Sequence, residues 1–463
     1  MMNLFGHLKK PYWNMPFVPQ TVKEAFFFFV RSRVRGYKKG TNNADVLRRY
    51  AKECLASQRL DNTFSIDYPK EPRITLQKDD SKLITFYLPQ FYPDSHNEAW
   101  WRKGSTEWTN TTKAKPQFLG HYQPRLPGEL GFYDLRLQSH IYRQIELARD
   151  YGIYRFCFYF YWFDGERLLD LPLDRFVNDE TIDFPFSLCW CNEDWSRQWS
   201  GSSNTTLISQ SPTEDSYKCF IHATFPYLVK KNYIHIAGRP ILTVYKPDEV
   251  PNPVRTLAYW REVVQKALGE SLYIIASIGT AKQYETNYLA LGFDAVSEFS
   301  PGPHLAAMKE ISQSKDFVCY VWQGTLYDYA QFVREKGYLK HSGKKLFRAV
   351  MPGFDNTARR ANRAMVTDGT TPELYAAWLA DVAVETLENA SLDDKLIFVN
   401  AWNEWAEGAY LEPDLKWQYG YLEATADALK EARRRMKLKI SAGGKSLDSI
   451  GSFATNEAYE AAA

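Results

Sequence analysis

Eight short apolar runs, most of them followed by a helical stretch, constrain this 463-residue chain more than any other feature. They are Leu83–Leu88, Tyr154–Phe163, Phe184–Cys191, Pro240–Tyr245, Leu272–Ile278, Asp294–Phe299, Phe347–Met351 and Leu396–Asn400. Continuous rather than alternating hydrophobicity marks strands buried on both faces, which is the condition of a parallel sheet covered by helices. Helical patterns fall between them at Leu137–Tyr151, Glu214–Lys230, Val254–Ala267, Lys282–Leu291, Tyr327–Lys336 and Pro372–Leu387, and Gly420–Lys437 follows the last strand. Thr371 before Pro372 is a clear helix start. Eight such alternations predict an α/β chain folded as a (β/α)8 TIM barrel over residues 81–437. A basic, partly helical N-terminal extension (1–80) precedes it and a flexible tail (438–463) follows.

In parallel barrels the site lies where strands end, so the residues just past each run carry the functional reading. The eighth run turns polar within three residues as Asn400-Ala401-Trp402-Asn403-Glu404-Trp405-Ala406-Glu407-Gly408. On a helical turn Glu404 and Glu407 share a face, with Cβ atoms roughly 5–6 Å apart. That approaches the carboxyl separation of about 5–5.5 Å used by retaining glycosidases. The same spacing also suits a solvated pair at a helix start, where the dipole favours acids. Glu404 and Glu407 are the candidate catalytic residues. Candidate glycan contacts are Tyr87 and Gln90 at strand one, Tyr159 and Trp162 at strand two, and Trp190, Asn192 and Glu193 at strand three. Tyr245, Glu298, Asp355, Asn356, Trp402, Asn403 and Trp405 extend the set at later strands. A long first loop adds Trp108, Asn110, His121, Tyr122 and Gln123, and a loop of this length usually has a use. Trp108, Tyr122 and Trp190 are expected to be exposed platforms for sugar rings. Whichever of Glu404 and Glu407 serves as the acid is expected to keep its proton near neutral pH through burial and its neighbour's charge.

Other chemistries lack their signatures. There is no G-x-G, no Walker loop, no D-x-D, no H-E-x-x-H and no G-x-S-x-G. No cofactor and no metal are therefore expected. Six cysteines, Cys54, Cys157, Cys189, Cys191, Cys219 and Cys319, form no disulfide framework and favour a reducing compartment. Residues 1–50 hold ten Lys/Arg against two Asp/Glu, beside the cluster Phe26–Phe29. The expectation is a cytoplasmic protein whose residues 1–50 touch the inner face of a membrane, with no nucleic-acid partner. A helix packing its phenylalanines on the barrel is the alternative for that segment. No run is long enough to span a bilayer, and the first twenty residues lack the pattern of a secretory signal.

Five motifs in order carry a resemblance. Tyr87-Leu88-Pro89-Gln90-Phe91, Gly120-His121-Tyr122-Gln123-Pro124-Arg125-Leu126-Pro127, Gly131-Phe132-Tyr133-Asp134-Leu135-Arg136, Phe354-Asp355-Asn356-Thr357-Ala358-Arg359-Arg360 and Asn400 to Gly408 together resemble the WbsX family. That family is named as glycosyltransferases and is found with surface-polysaccharide and lipopolysaccharide synthesis. It is similar in turn to the endo-α-mannosidases of glycoside hydrolase family 99, whose catalytic segment reads Asn-Glu-Trp-His-Glu-Gly followed by Glu-Pro. Asn403–Gly408 and Glu412-Pro413 match it, except that Ala406 stands in the histidine's place. The resemblance implies that Glu404 takes the proton of a sugar 2-hydroxyl, that Glu407 protonates the leaving oxygen, and that a 1,2-anhydro sugar intervenes. Retaining cleavage or transfer of glycosidic bonds in a glycan or polysaccharide is the first expectation. A glycosyltransferase building a surface polysaccharide is the second, and a non-catalytic glycan-binding barrel is the third.

Overall fold

The computed structural model describes residues 43–56, 72–196, 205–210, 213–319, 321–341 and 345–441. Its parallel strands, in chain order, are β1 (Lys82–Tyr87), β2 (Ile153–Phe163), β3 (Phe186–Trp190), β4 (Arg239–Val244), β5 (Tyr273–Ile278) and β6 (Ala295–Glu298). β7 follows in two halves, Leu346–Phe347 and Ala349–Val350, and β8 is Leu396–Val399. Each strand from β1 to β6 pairs with the next, β8 pairs with β1, and the halves of β7 join β6 on one side and β8 on the other. Arg348 separates the halves, and the ring is a nearly closed parallel barrel of the expected class.

Alternation along the strands explains why both faces are apolar. Phe86 points inward, its ring 4.9 Å from Phe299 and 5.5 Å from Phe398. Its neighbour Tyr87 points outward, where its hydroxyl donates to Gln144 at 2.7 Å. Gln144 belongs to α1 (Gln138–Asp150), the first of the long covering helices. The others are α2 (Leu171–Asn178), α3 (Glu214–Leu228), α4 (Pro253–Leu268), α5 (Pro372–Glu388) and α6 (Gly420–Ser441). The start of α5 is as the sequence indicates, with the Thr371 hydroxyl accepting from the Leu374 amide at 3.3 Å. Among the described residues no helix is long and apolar enough to cross a membrane.

Two expected helices differ. Between β5 and β6 the chain makes only a 3-10 turn, Ala281–Glu285, because Tyr288 is buried and its hydroxyl is tied to Asp248 at 2.6 Å. The stretch from Tyr327 begins as a strand, Thr325–Asp328, paired with Met365–Asp368; its helix is only Tyr329–Arg334, capped by the Asp328 carboxylate. That small sheet, with Phe118, Trp322 and Leu326, forms a lobe beside the barrel mouth.

The extension is not separate from the barrel throughout. Ile74 lies in the barrel core, the amides of Arg73 and Ile74 donate to the Asp150 carbonyl, and Asp80 pairs with Arg433 of α6. Residues 72–80 thus belong to the barrel unit. Upstream, the helix Asn43–Ala56 reaches the small lobe through Arg49 to Asp316 at 2.9 Å and Glu53 to the Gly120 amide at 3.0 Å. Phe26–Phe29 and the tail from 442 lie outside the described residues, while α6 runs four residues beyond its expected end.

Candidate active site

After β8 the chain makes a tight hairpin. Asn403–Glu404 pairs antiparallel with Ala409–Tyr410 around the 3-10 turn Trp405–Glu407. Gly408 closes it at φ 60, and any Cβ there would lie 2.9 Å from the Arg125 side chain and 3.0 Å from that of Asp355. The turn projects Glu404 and Glu407 to one side, where a single buried guanidinium meets both. Arg359 Nη1 donates to Glu407 Oε1 at 2.8 Å, and Arg359 Nη2 donates to Glu404 Oε2 at 3.0 Å and to Glu107 Oε1 at 2.8 Å. Three glutamates therefore share one cation. Ala406 also donates its amide to Glu107, and its methyl packs between Ala114 and Ala358, so this position is a packing point.

The charge count dictates the protonation. Burial pushes the Glu404 carboxyl well up, the Glu407 charge pushes it further, and Arg359 opposes both. Burial also raises Glu407, with Arg359 pulling it back and Glu107 pushing it up. The expected rise is thus present on both, and the upward push is greater on the more deeply buried Glu404. Burial works against the Arg359 charge too, and the three carboxylates outweigh it. Two carboxyls that share one cation titrate together rather than one by one.

The pair opens into a cleft of about 430 Å³ at the carboxyl ends of the strands. Of the expected glycan contacts, Gln90, Asn110, Tyr159, Glu193 and Tyr245 line it. Glu193 is raised by burial and restrained by Lys246, whose ammonium lies 3.5 Å away. Trp101, Tyr161, Trp195 and Phe299 supply ring faces, and Arg102, Lys113 and Cys191 complete much of the wall.

The other expected contacts lie behind this surface. Asn403 clasps the Leu88 backbone through both amide atoms, at 2.7 and 3.0 Å, which fixes the hairpin to β1. Trp405 stacks on Tyr410 and donates its indole N–H to Glu412 at 2.7 Å. Glu412 also accepts from Gln144 and from Tyr133, and burial pushes it up to about 7 against those donors. Tyr87 joins the same network through Gln144. Trp402 is fully buried against Phe156.

Trp108 and Trp190 are not exposed platforms. Trp108 is 8% exposed and donates to the Tyr133 carbonyl, and Trp190 stacks at 3.7 Å on Phe220 of α3 on the outer face of the barrel. Trp162 shares that outer layer. Tyr122 packs against Arg125 and Lys416. His121 and Gln123 hold Asp355 at 2.8 and 2.7 Å. Burial alone would raise Asp355, but His121, Arg125 and Thr357 hold it below the ordinary carboxylate range. Asn356 accepts the Met365 amide, and Asn192 grips the Lys246 backbone. Glu298 faces outward and pairs with Arg348 at 3.0 Å. None of these lines the cleft.

Arg359 stands in the sequence within one of the five motifs, and neither it nor Glu107 carries a role there. The available signal was charge balance: two glutamates buried among aromatics require a cation, and Arg359 stands at the end of the neighbouring strand.

Residues 83–425 match the family model described as Glycosyltransferase WbsX. The chain belongs to that family. Two relatives, each called "Uncharacterized protein WxcX", come from the B100 and ATCC 33913 strains of Xanthomonas campestris pv. campestris. Each is 39% identical over 351 residues, which is 76% of this chain and 50% of the relative, so the chain spans half their length. Among solved structures it is similar to the GH99 endo-alpha-mannosidase from Bacteroides thetaiotaomicron, with 16% identity and a TM-score of 0.47 over 78% of this chain and 100% of that one. The same enzyme with BIS-TRIS-propane gives 17% and 0.48 over 79% and 100%. A "Glycoside hydrolase-like protein" gives 13% and 0.48 over 80% and 99%. This WbsX-family chain is built on a parallel barrel.

Proposed function

We propose that the chain cleaves or transfers glycosidic bonds with retention, using Glu404 and Glu407. The observation that carries this reading is the Arg359 guanidinium bridging both carboxylates at the mouth of the barrel. One cation among three buried acids favours a state with a proton on one glutamate and a charge on the other, which general acid–base catalysis requires. The likeness of Asn403–Gly408 and Glu412-Pro413 to the family 99 segment supports the roles.

The reaction starts from the state with the shared proton on Glu407, the reverse of the order that burial favours in the free protein, so substrate binding must move that proton off Glu404. In the first step Glu404 takes the proton of the 2-hydroxyl, and that oxygen forms a bond to the anomeric carbon. The bond from that carbon to the leaving oxygen breaks as Glu407 protonates the leaving oxygen. In the second step the Glu407 carboxylate takes a proton from water or an acceptor hydroxyl, which attacks the anomeric carbon. The three-membered ring opens and Glu404 returns the proton to the 2-oxygen. Two inversions give net retention. We place this activity in surface-polysaccharide metabolism inside the cell, with basic residues 1–50 against an anionic membrane.

The family description favours a second reading, a transferase that uses a sugar nucleotide. Incubation with bacterial surface polysaccharides and α-mannans, with and without sugar nucleotides, separates the two by mass spectrometry. Products formed without any sugar nucleotide support the first reading. Products formed only with one support the second, and binding without products leaves a glycan-binding barrel.

A further inference from the structure

The first-loop wall of the cleft carries a charge pattern that the acid–base pair does not use. Three cations face the cleft: Arg102, Lys113 and Arg359. Arg359 is committed to Glu107, Glu404 and Glu407. Lys113 donates only to the neutral Asn110 amide oxygen among the described side chains, at 2.8 Å, and Arg102 makes no ion pair with a described residue. Burial pushes the Lys113 ammonium down, and Arg359 and Arg102 repel it, with Glu107 the one opposing charge named. Both side chains reach solvent at the cleft wall, where an anion placed between the cations would gain charge-assisted contacts from each. Both lie on the loop that carries Glu107 and line the same cleft as the glutamate pair, so an anion between them would lie in that cleft. The ring faces of Tyr161 and Trp195 line the same cleft.

We propose that Arg102 and Lys113 form an anion subsite and that the glycan handled here bears a carboxylate or phosphate on a sugar unit next to the one whose bond is broken. This rests on the glycan reading above and narrows it to acidic glycans. Guanidinium and ammonium donors suit such groups, because charge-assisted hydrogen bonds are the stronger ones.

The test is binding to an array of bacterial surface polysaccharides, neutral and acidic. It compares wild type with R102Q/K113Q, with uridine diphosphate as a separate probe. Each acidic glycan is also offered after carboxyl reduction or after dephosphorylation, which distinguishes the two sources of charge. The expected result is that the bound glycans are acidic, and that neutralising the glycan or the two residues weakens binding at least tenfold. The loss should be non-additive when both are neutralised, and wild-type binding should fall steeply with salt. Neither side chain belongs to the hydrophobic core, so the double variant should keep the wild-type melting temperature. Binding and cleavage of neutral glycans, unchanged in R102Q/K113Q, would overturn the subsite and leave the glycan reading intact. Binding of uridine diphosphate that is lost in R102Q/K113Q, with no glycan bound, would overturn both. Binding of neither probe would also overturn both.

Discussion

The variant R359Q tests the charge arrangement of the site before any substrate is known. Glutamine retains hydrogen-bond donors but leaves Glu107, Glu404 and Glu407 buried without their shared cation. Removing one partner of a buried ion pair commonly costs about 3–5 kcal/mol. Here the loss must depend on pH, and its sign follows from the direction of the shifts. Glu404 and Glu407 are raised by burial already, and without Arg359 they rise further. A carboxyl whose folded pKa lies above its unfolded value costs nothing at low pH, where both states hold the proton. The penalty grows as pH rises past the unfolded value, at about 1.4 kcal/mol per pH unit and group, and levels off above the folded value. R359Q should therefore lose about 1–2 kcal/mol relative to wild type at pH 5 and about 3–5 kcal/mol at pH 8. Urea unfolding followed by tryptophan fluorescence at the two pH values measures this. Adding E107Q to R359Q removes one stranded acid and should restore at least about 1 kcal/mol at pH 8. An equal loss at both pH values, or none at pH 8, would refute the shared-cation account.

Other consequences are independent of that one. A substrate with hydrogen in place of its 2-hydroxyl should not turn over, because Glu404 would have no proton to take; brisk turnover with retention would remove the anhydro-sugar route. W190A should lose about 3–5 kcal/mol of stability, as buried aromatics do, and leave glycan affinity unchanged; a stable variant with weakened binding would return Trp190 to the cleft. A chain beginning at residue 72 should fold as wild type and lose binding to phosphatidylserine vesicles, at about 1 kcal/mol per basic residue removed from the surface. Unchanged vesicle binding would end the membrane proposal.

The barrel was legible because the physics that forms it is local. A strand covered on both faces is apolar at most positions, so β2, β3 and β5 announce themselves within a few residues of their ends despite Arg155, Ser187 and Ser277. Thr371-Pro372 marked α5 for the same reason. The missing helix before β6 was not legible, because a contact between Tyr288 and Asp248, far apart in sequence, decides that segment. The site divides likewise. Glu404 and Glu407 lie three residues apart and could be read together, whereas Arg359 reaches them from 45 and 48 residues away and Glu107 reaches Arg359 across 252, separations that only the folded barrel brings to one point. The aromatics were over-assigned because composition does not say which face a ring occupies. Alternation says more: Cys157 and Cys189 lie inside the barrel, so Trp190 next to Cys189 had to face the helices.

The most direct measurement is the turnover of E404Q and E407Q on a glycan that the wild type processes without sugar nucleotide. Both variants keep the shape of the side chain and lose its proton transfer, which is commonly worth about 10²–10⁴-fold. The account predicts that each folds normally, still binds the glycan, and loses at least about a hundredfold in rate. Full activity in both, with wild-type binding, would contradict the assignment of Glu404 and Glu407 as the catalytic pair.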